Sequence, residues 1–128
     1  MLLRRIALFF AALFLSQAVL AAEWYEGGTL HKANALEWQQ ATEANRLATV
    51  SDVVAGIYNK NGFTPEIQAA IKSGGMPAIK VLSEKLVQEL NIAFAPDSDP
   101  EQNRQLFTNQ KVADSAVMVM LISGLIGK

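Results

Sequence analysis

The sequence predicts an all-α fold, a small irregular bundle of about five helices behind a cleaved signal peptide, and three observations carry that expectation. Apolar residues recur at three- and four-residue spacing over several long stretches. Helix starts and stops built from Asn, Thr, Pro and Gly separate those stretches. Alternation of apolar and polar residues, the mark of a half-buried strand, has little support.

The chain opens with Arg4 and Arg5, then an uninterrupted apolar run over residues 6–15, then Ser16, Gln17 and the small-residue stretch Ala18-Val19-Leu20-Ala21-Ala22. That is the three-part layout of a secretory signal peptide, and small side chains before the scissile bond place cleavage after Ala21. Ser16 and Gln17 interrupt the run well short of the about 20 apolar residues that a membrane span needs. The expected organisation is therefore a signal peptide over residues 1–21 and one helical domain over 22–128. Residues 22–33 of that domain form an irregular arm, because Gly27-Gly28 and two aromatics fit neither period. The arm is expected to pack down through Trp24 and Leu30.

Asn34 followed by Glu37 is a capping-box start for a short helix over residues 35–43 that turns Trp38 and Ala41 inward. A second helix, from 45 or 46 to 59, follows from the stripe Leu47, Val50, Val54, Ile57 and Tyr58. Asn61 or Gly62 closes it in the left-handed conformation. Thr64-Pro65-Glu66 starts a third helix with a hydroxyl cap, a proline whose missing N–H costs nothing there, and an acid at the positive helix end. After Gly74-Gly75, Met76-Pro77 opens a fourth helix with the cleanest stripe in the chain: Ile79, Leu82, Leu86, Val87, Leu90 and Phe94. Pro96 and Pro100 then break the chain, and helix resumes with an interruption at Thr108-Asn109. Residues 115–127 carry no charge, and the expectation for them is a last helix buried all round in the bundle.

Cysteine is absent, which removes disulfides, a thiolate nucleophile, thiolate metal sites and a lipidated N-terminal cysteine. After loss of residues 1–21 the chain keeps nine basic against twelve acidic residues. The basic residues are interleaved with acids and form no stripe able to displace counterions from phosphates, so no nucleic-acid partner is expected. No stable membrane span is expected after cleavage either.

Candidate chemistry is sparse. His31 is the only histidine, and a metal site wants two or three imidazoles or thiolates. Its expected role is structural, with the ring hydrogen-bonded near Trp38 or a helix end. Gly27-Gly28-Thr29 lacks the strand, lysine and helix of a phosphate loop and reads as a tight turn. No serine stands in a nucleophile elbow, and no carboxylates pair as a hydrolase requires. Catalytic residues, metal ligands and cofactors are accordingly not assigned. Trp24, Tyr25 and Trp38 lie within fifteen positions, close to His31 and Arg46. Amphipathic aromatics of this kind anchor protein interfaces, so these five residues form the candidate partner-binding patch.

The segment Glu-Gly-Gly-Thr-Leu-His-Lys-Ala at residues 26–33, with Glu37-Trp38 and Asn45-Arg46-Leu47-Ala48-Thr49, resembles the opening of a group of small exported bacterial helical proteins of uncharacterised role. The resemblance covers about 25 residues and implies no activity. It also implies a cysteine after the Leu-Ala-Thr, where this chain has Val50. Size and helix content are similar to those of periplasmic acid-stress chaperones, whose disulfide and lysine-rich termini this chain lacks. The resulting expectation is a periplasmic or secreted, non-enzymatic protein that binds a protein partner through a surface including the aromatic arm. Three rivals stay open: an acid-stress chaperone exposing apolar helix surface within residues 117–126, a periplasmic immunity protein, and a small hydrolase.

Overall fold

The computed structural model describes residues 22–127. The expected signal peptide, its cleavage point after Ala21, and Lys128 lie outside them. The described chain is helical: α1 (Ala35–Gln40), α2 (Glu43–Asn59), α3 (Pro65–Gly74), α4 (Met76–Ala93), α5 (Pro100–Phe107) and α6 (Val112–Ile122). Among the described residues no strand forms, only the isolated bridges Asn34–Lys111 and Phe63–Ile126. Nor is any of these helices long and apolar enough to cross a membrane.

Local chemistry sets the boundaries. The capping box is present: Asn34 Oδ1 accepts from the Glu37 amide, and Glu37 reaches back to the Asn34 amide. The first helix stops at Gln40, short of the predicted 43. Thr42 takes the N-cap of α2 and accepts from the Asn45 amide, so Glu43 opens the next helix instead of ending this one. Asn61, at φ 57°, closes α2 as expected, with the Gly62 amide donating to the Ile57 carbonyl. The hydroxyl cap predicted at Thr64 does not form. Gln68 serves that turn instead, accepting from the Phe63 amide and donating to the Tyr58 carbonyl. Gly75 joins α3 to α4 at φ +64°, a conformation that favours glycine. The Thr108-Asn109 interruption is present and separates α5 from α6.

α4 is the axis of the bundle and packs against α2, α3 and α6, while α1 lies on α5. Its stripe Ile79, Leu86, Val87, Leu90 and Phe94 is buried with Val50 and Val54 of α2, Ile71 of α3, and Val112, Ala116 and Met120 of α6. Edge-to-face contacts from Trp38 to Phe94 (5.9 Å) and from Phe94 to Phe107 (6.3 Å) carry the core across to α1 and α5. Two backbone clips fasten the C-terminal half: Val112 N–H donates to the Ala33 carbonyl, and Thr64 N–H to the Leu125 carbonyl.

The last helix departs from expectation. Val112, Ala116 and Met120 face the core, but Val117, Met118, Leu121 and Ile122 are 40, 56, 46 and 79% exposed. α6 is covered on one side only, because α4 is its main helical neighbour. The uncharged run over 115–127 begins one residue after Asp114, the single charge that marks the outer side of α6.

Ser83 is fully buried in α4, and its hydroxyl has no hydrogen-bond partner among the described residues. Deleting an unsatisfied buried hydroxyl removes a desolvation cost, whereas truncating Leu90 opens a cavity. Ser83→Ala should leave stability unchanged or raise it by up to about 1 kcal/mol. Leu90→Ala should lower it by about 3 kcal/mol, both read from urea denaturation midpoints.

Candidate functional site

The arm is fastened to α2 by a small set of polar contacts. Thr29 N–H donates to Asn45 Oδ1 (2.8 Å), Asn45 Nδ2 donates to Thr29 Oγ1 (2.8 Å), and Leu30 N–H donates to Thr49 Oγ1 (3.2 Å). Gly28 lies against the α2 backbone, where a Cβ would stand 2.6 Å from the Thr49 nitrogen. The glycine is therefore required by close approach. Leu30 is buried by this docking, and Trp24 packs partly against the core, as the sequence predicts.

A second network closes the end of α1. Arg46 Nε donates to the Trp38 carbonyl (3.0 Å), which also accepts from the Ala41 amide, and Arg46 Nη2 donates to the Gln39 carbonyl (3.1 Å), a group that a helix C-terminus leaves without an intrahelical partner. The same guanidinium pairs with Glu43 (2.7 Å), donates to Asn91 Oδ1 and covers the Trp38 ring at 5.4 Å. Trp38 Nε1 donates to Asn91 Oδ1 (3.0 Å), and Asn91 Nδ2 donates to Glu43. Five groups from α1, α2 and α4 thus satisfy one another.

These contacts separate the five residues of the candidate patch. Trp38 is 1% exposed and serves the core. Arg46 is committed to α1 and Glu43, with a side chain only 16% exposed. His31 pairs with Asp52 on α2 at 2.8 Å, not with Trp38 or a helix end. Trp24 and Tyr25 remain as an edge-to-face pair (5.3 Å), with the Lys80 ammonium over the Trp24 ring at 5.6 Å. Only this outer pair and His31 offer surface to a partner.

Acid–base chemistry finds little to work with. The hollow between α2 and α4 is lined by Glu43 and Glu84, but Glu43 is already held by Arg46 and Asn91. The hollow beside the arm holds Glu23 and Glu26, both exposed and joined in one turn through the Glu26 amide. Among the described residues no three of His, Cys, Asp and Glu gather as metal ligands would.

The surface that stands out is apolar. On α6, Val117, Met118, Leu121 and Ile122 lie side by side at helical spacing and face solvent. Between α3 and α4 runs a groove of about 320 Å³, lined by Ile67, Ala70, Ile71, Ala78, Val81, Leu82 and Lys85. A soluble surface normally scatters its exposed apolar residues singly, and a contiguous stripe marks an interaction site. The sequence contains both features, but on α6 a single charge, Asp114, marks the exposed side, and the groove depends on how α3 folds back on α4.

Fold and surface together define a small all-α bundle that carries an exposed apolar stripe and an apolar groove. No protein-family model, no curated protein and no solved structure matches the chain.

Replacing Gly28 by Ala forces the arm off α2 and should lower stability by more than 2 kcal/mol, on the scale of an overpacked core. Arg46→Ala should cost about 2 kcal/mol, because it leaves the Gln39 carbonyl without its guanidinium donor and removes the charged hydrogen bonds to Glu43 and Asn91. Arg46→Lys should fail to recover most of that loss, since an ammonium cannot span the fork of contacts. His31→Ala, which removes only an exposed pair, should cost less than about 1 kcal/mol. Thermal or urea unfolding of the four variants checks this ranking.

Proposed function

We propose that this chain is an exported, non-enzymatic helical protein that acts by binding a protein partner in the periplasm, with α6 as its main docking face. The observation that carries the reading is the uncharged exposed stripe Val117, Met118, Leu121 and Ile122. Full burial of such a side chain is worth about 1.5–3 kcal/mol, and the exposed fraction of that gain on these four is what a partner recovers when it covers them. Export rests on the charged, apolar and small-residue layout of residues 1–22. The reading moves the docking surface away from the arm, because Trp38 and Arg46 are spent inside the fold. Trp24 and Tyr25 form at most a secondary contact.

The acid-stress chaperone reading draws on the same stripe and differs in its range of partners. A docking protein selects one partner, while a chaperone holds many unfolded chains.

A pull-down from the exported fraction tests this reading with three baits: the unaltered protein, Met118→Glu/Ile122→Glu, and Trp24→Ala/Tyr25→Ala. The expected outcome is one specific band, lost with the α6 variant and kept with the arm variant. Retention of that band by the α6 variant overturns the assignment of the face. A broad set of bands that grows on acidification replaces it with the chaperone.

A further inference from the structure

The groove between α3 and α4 has the shape and period of a seat for a helix. On α4 its residues fall at Ala78, Val81, Leu82 and Lys85, and on α3 at Ile67, Ala70 and Ile71. Those are the i, i+3, i+4, i+7 positions that face one side of a helix. Ile71 is the buried residue among its lining, Val81 stands 70% exposed, and Lys85 is the single charge lining it. An amphipathic helix laid into such a groove presents anchors at the same spacing.

The chain itself contains a helix of that description. On α6 the exposed side runs Asp114, Val117, Met118, Leu121 and Ile122, with one charge at its beginning and apolar residues after it. From Asp114 to Leu121 is seven residues, as is Ala78 to Lys85, so each face spans about 10.5 Å. Laid antiparallel to α4, the stripe sets Asp114 against Lys85, Val117 and Met118 against Leu82 and Val81, and Leu121 over Ala78. Neither Asp114 nor Lys85 has an ion-pair partner among the described residues. The stripe cannot fill the groove of its own molecule, because α6 packs on α4 through the opposite face, Val112, Ala116 and Met120.

We infer that the α6 stripe of one copy of this protein docks in the α3–α4 groove of a second copy, with Asp114 paired to Lys85. The inference deepens the docking role proposed for α6 by naming one occupant for that face, and it rests on that role. The contact is heterologous, since the two surfaces differ, so it propagates into rings or short chains unless one surface is blocked. Its small size makes it weak and concentration-dependent. Self-association then competes with any other partner for the same stripe.

Sedimentation velocity on the chain expressed in full and purified as the host exports it tests this, together with Val81→Glu, which blocks the groove, and Ile122→Glu, which blocks the stripe. The unaltered protein should form species larger than a dimer as concentration rises. Each variant alone should stay monomeric at concentrations at least tenfold higher. Mixed together, the two variants should form a complex that stops at one of each, because the intact stripe of Val81→Glu fits the intact groove of Ile122→Glu. Lys85→Glu should weaken association, and Asp114→Lys in the same chain should restore it. A monomer at all concentrations overturns the inference, as does a mixture that fails to pair. A dimer lost with Ile122→Glu but kept with Val81→Glu also overturns it, since that pattern means stripe against stripe. The pull-down separates this outcome from failure of the docking role: a partner captured by unaltered and Val81→Glu baits alike leaves α6 as a docking face even where self-association is absent.

Discussion

Holding α1 in place is the constraint on which the rest of the bundle depends. A helix of six residues is far below the length at which helix forms unaided in water, so α1 exists only because its ends and its one large side chain are secured from outside. Asn34 and Glu37 secure the start, and Arg46 the carbonyls at the end. Trp38 joins the core under that guanidinium and reaches α4 through Asn91. The same helix lies on α5, and Gln39 and Asn103 exchange amide hydrogen bonds across that contact. Gln39 also donates to the Phe94 carbonyl at the end of α4. The shortest helix therefore ties the arm and α2 to the proline-broken loop beyond α4.

Residues 26–33 and 45–49, far apart in the chain, meet in the fold. Gly28, Thr29 and Leu30 meet Asn45 and Thr49, while Trp38 meets Arg46. Residues that look like separate short motifs are two sides of one clasp. Their spacing is set by the need to bring an irregular arm against the first turns of α2.

Where periodicity and capping agree, the fold is legible in the residues: the stripe of α4, the Asn61 stop of α2 and the double-proline break all stand where the pattern sets them. The first boundary to slip, at Gln40, does so because Thr42 competes as a cap with a helix that sequence alone extends to Glu43. The candidate patch was less legible. Trp38 and Arg46 have the chemistry of an interface, and only their partners across the fold reveal that they are spent inside it. Conversely, the exposure of Val117 and Ile122 is marked only by Asp114 on the same face, ahead of a run that carries no charge. Which side of such a helix faces water is decided by what its neighbours fail to cover.

The backbone clips at Thr64–Leu125 and Phe63–Ile126 bear on how the molecule comes into being. Both join the segment between α2 and α3 to the residues that follow α6, and α6 itself supplies Met120 to the core just before them. The earlier helices therefore cannot close their core until residues 120–126 have been made and have folded back, so assembly of the bundle waits on its last helix.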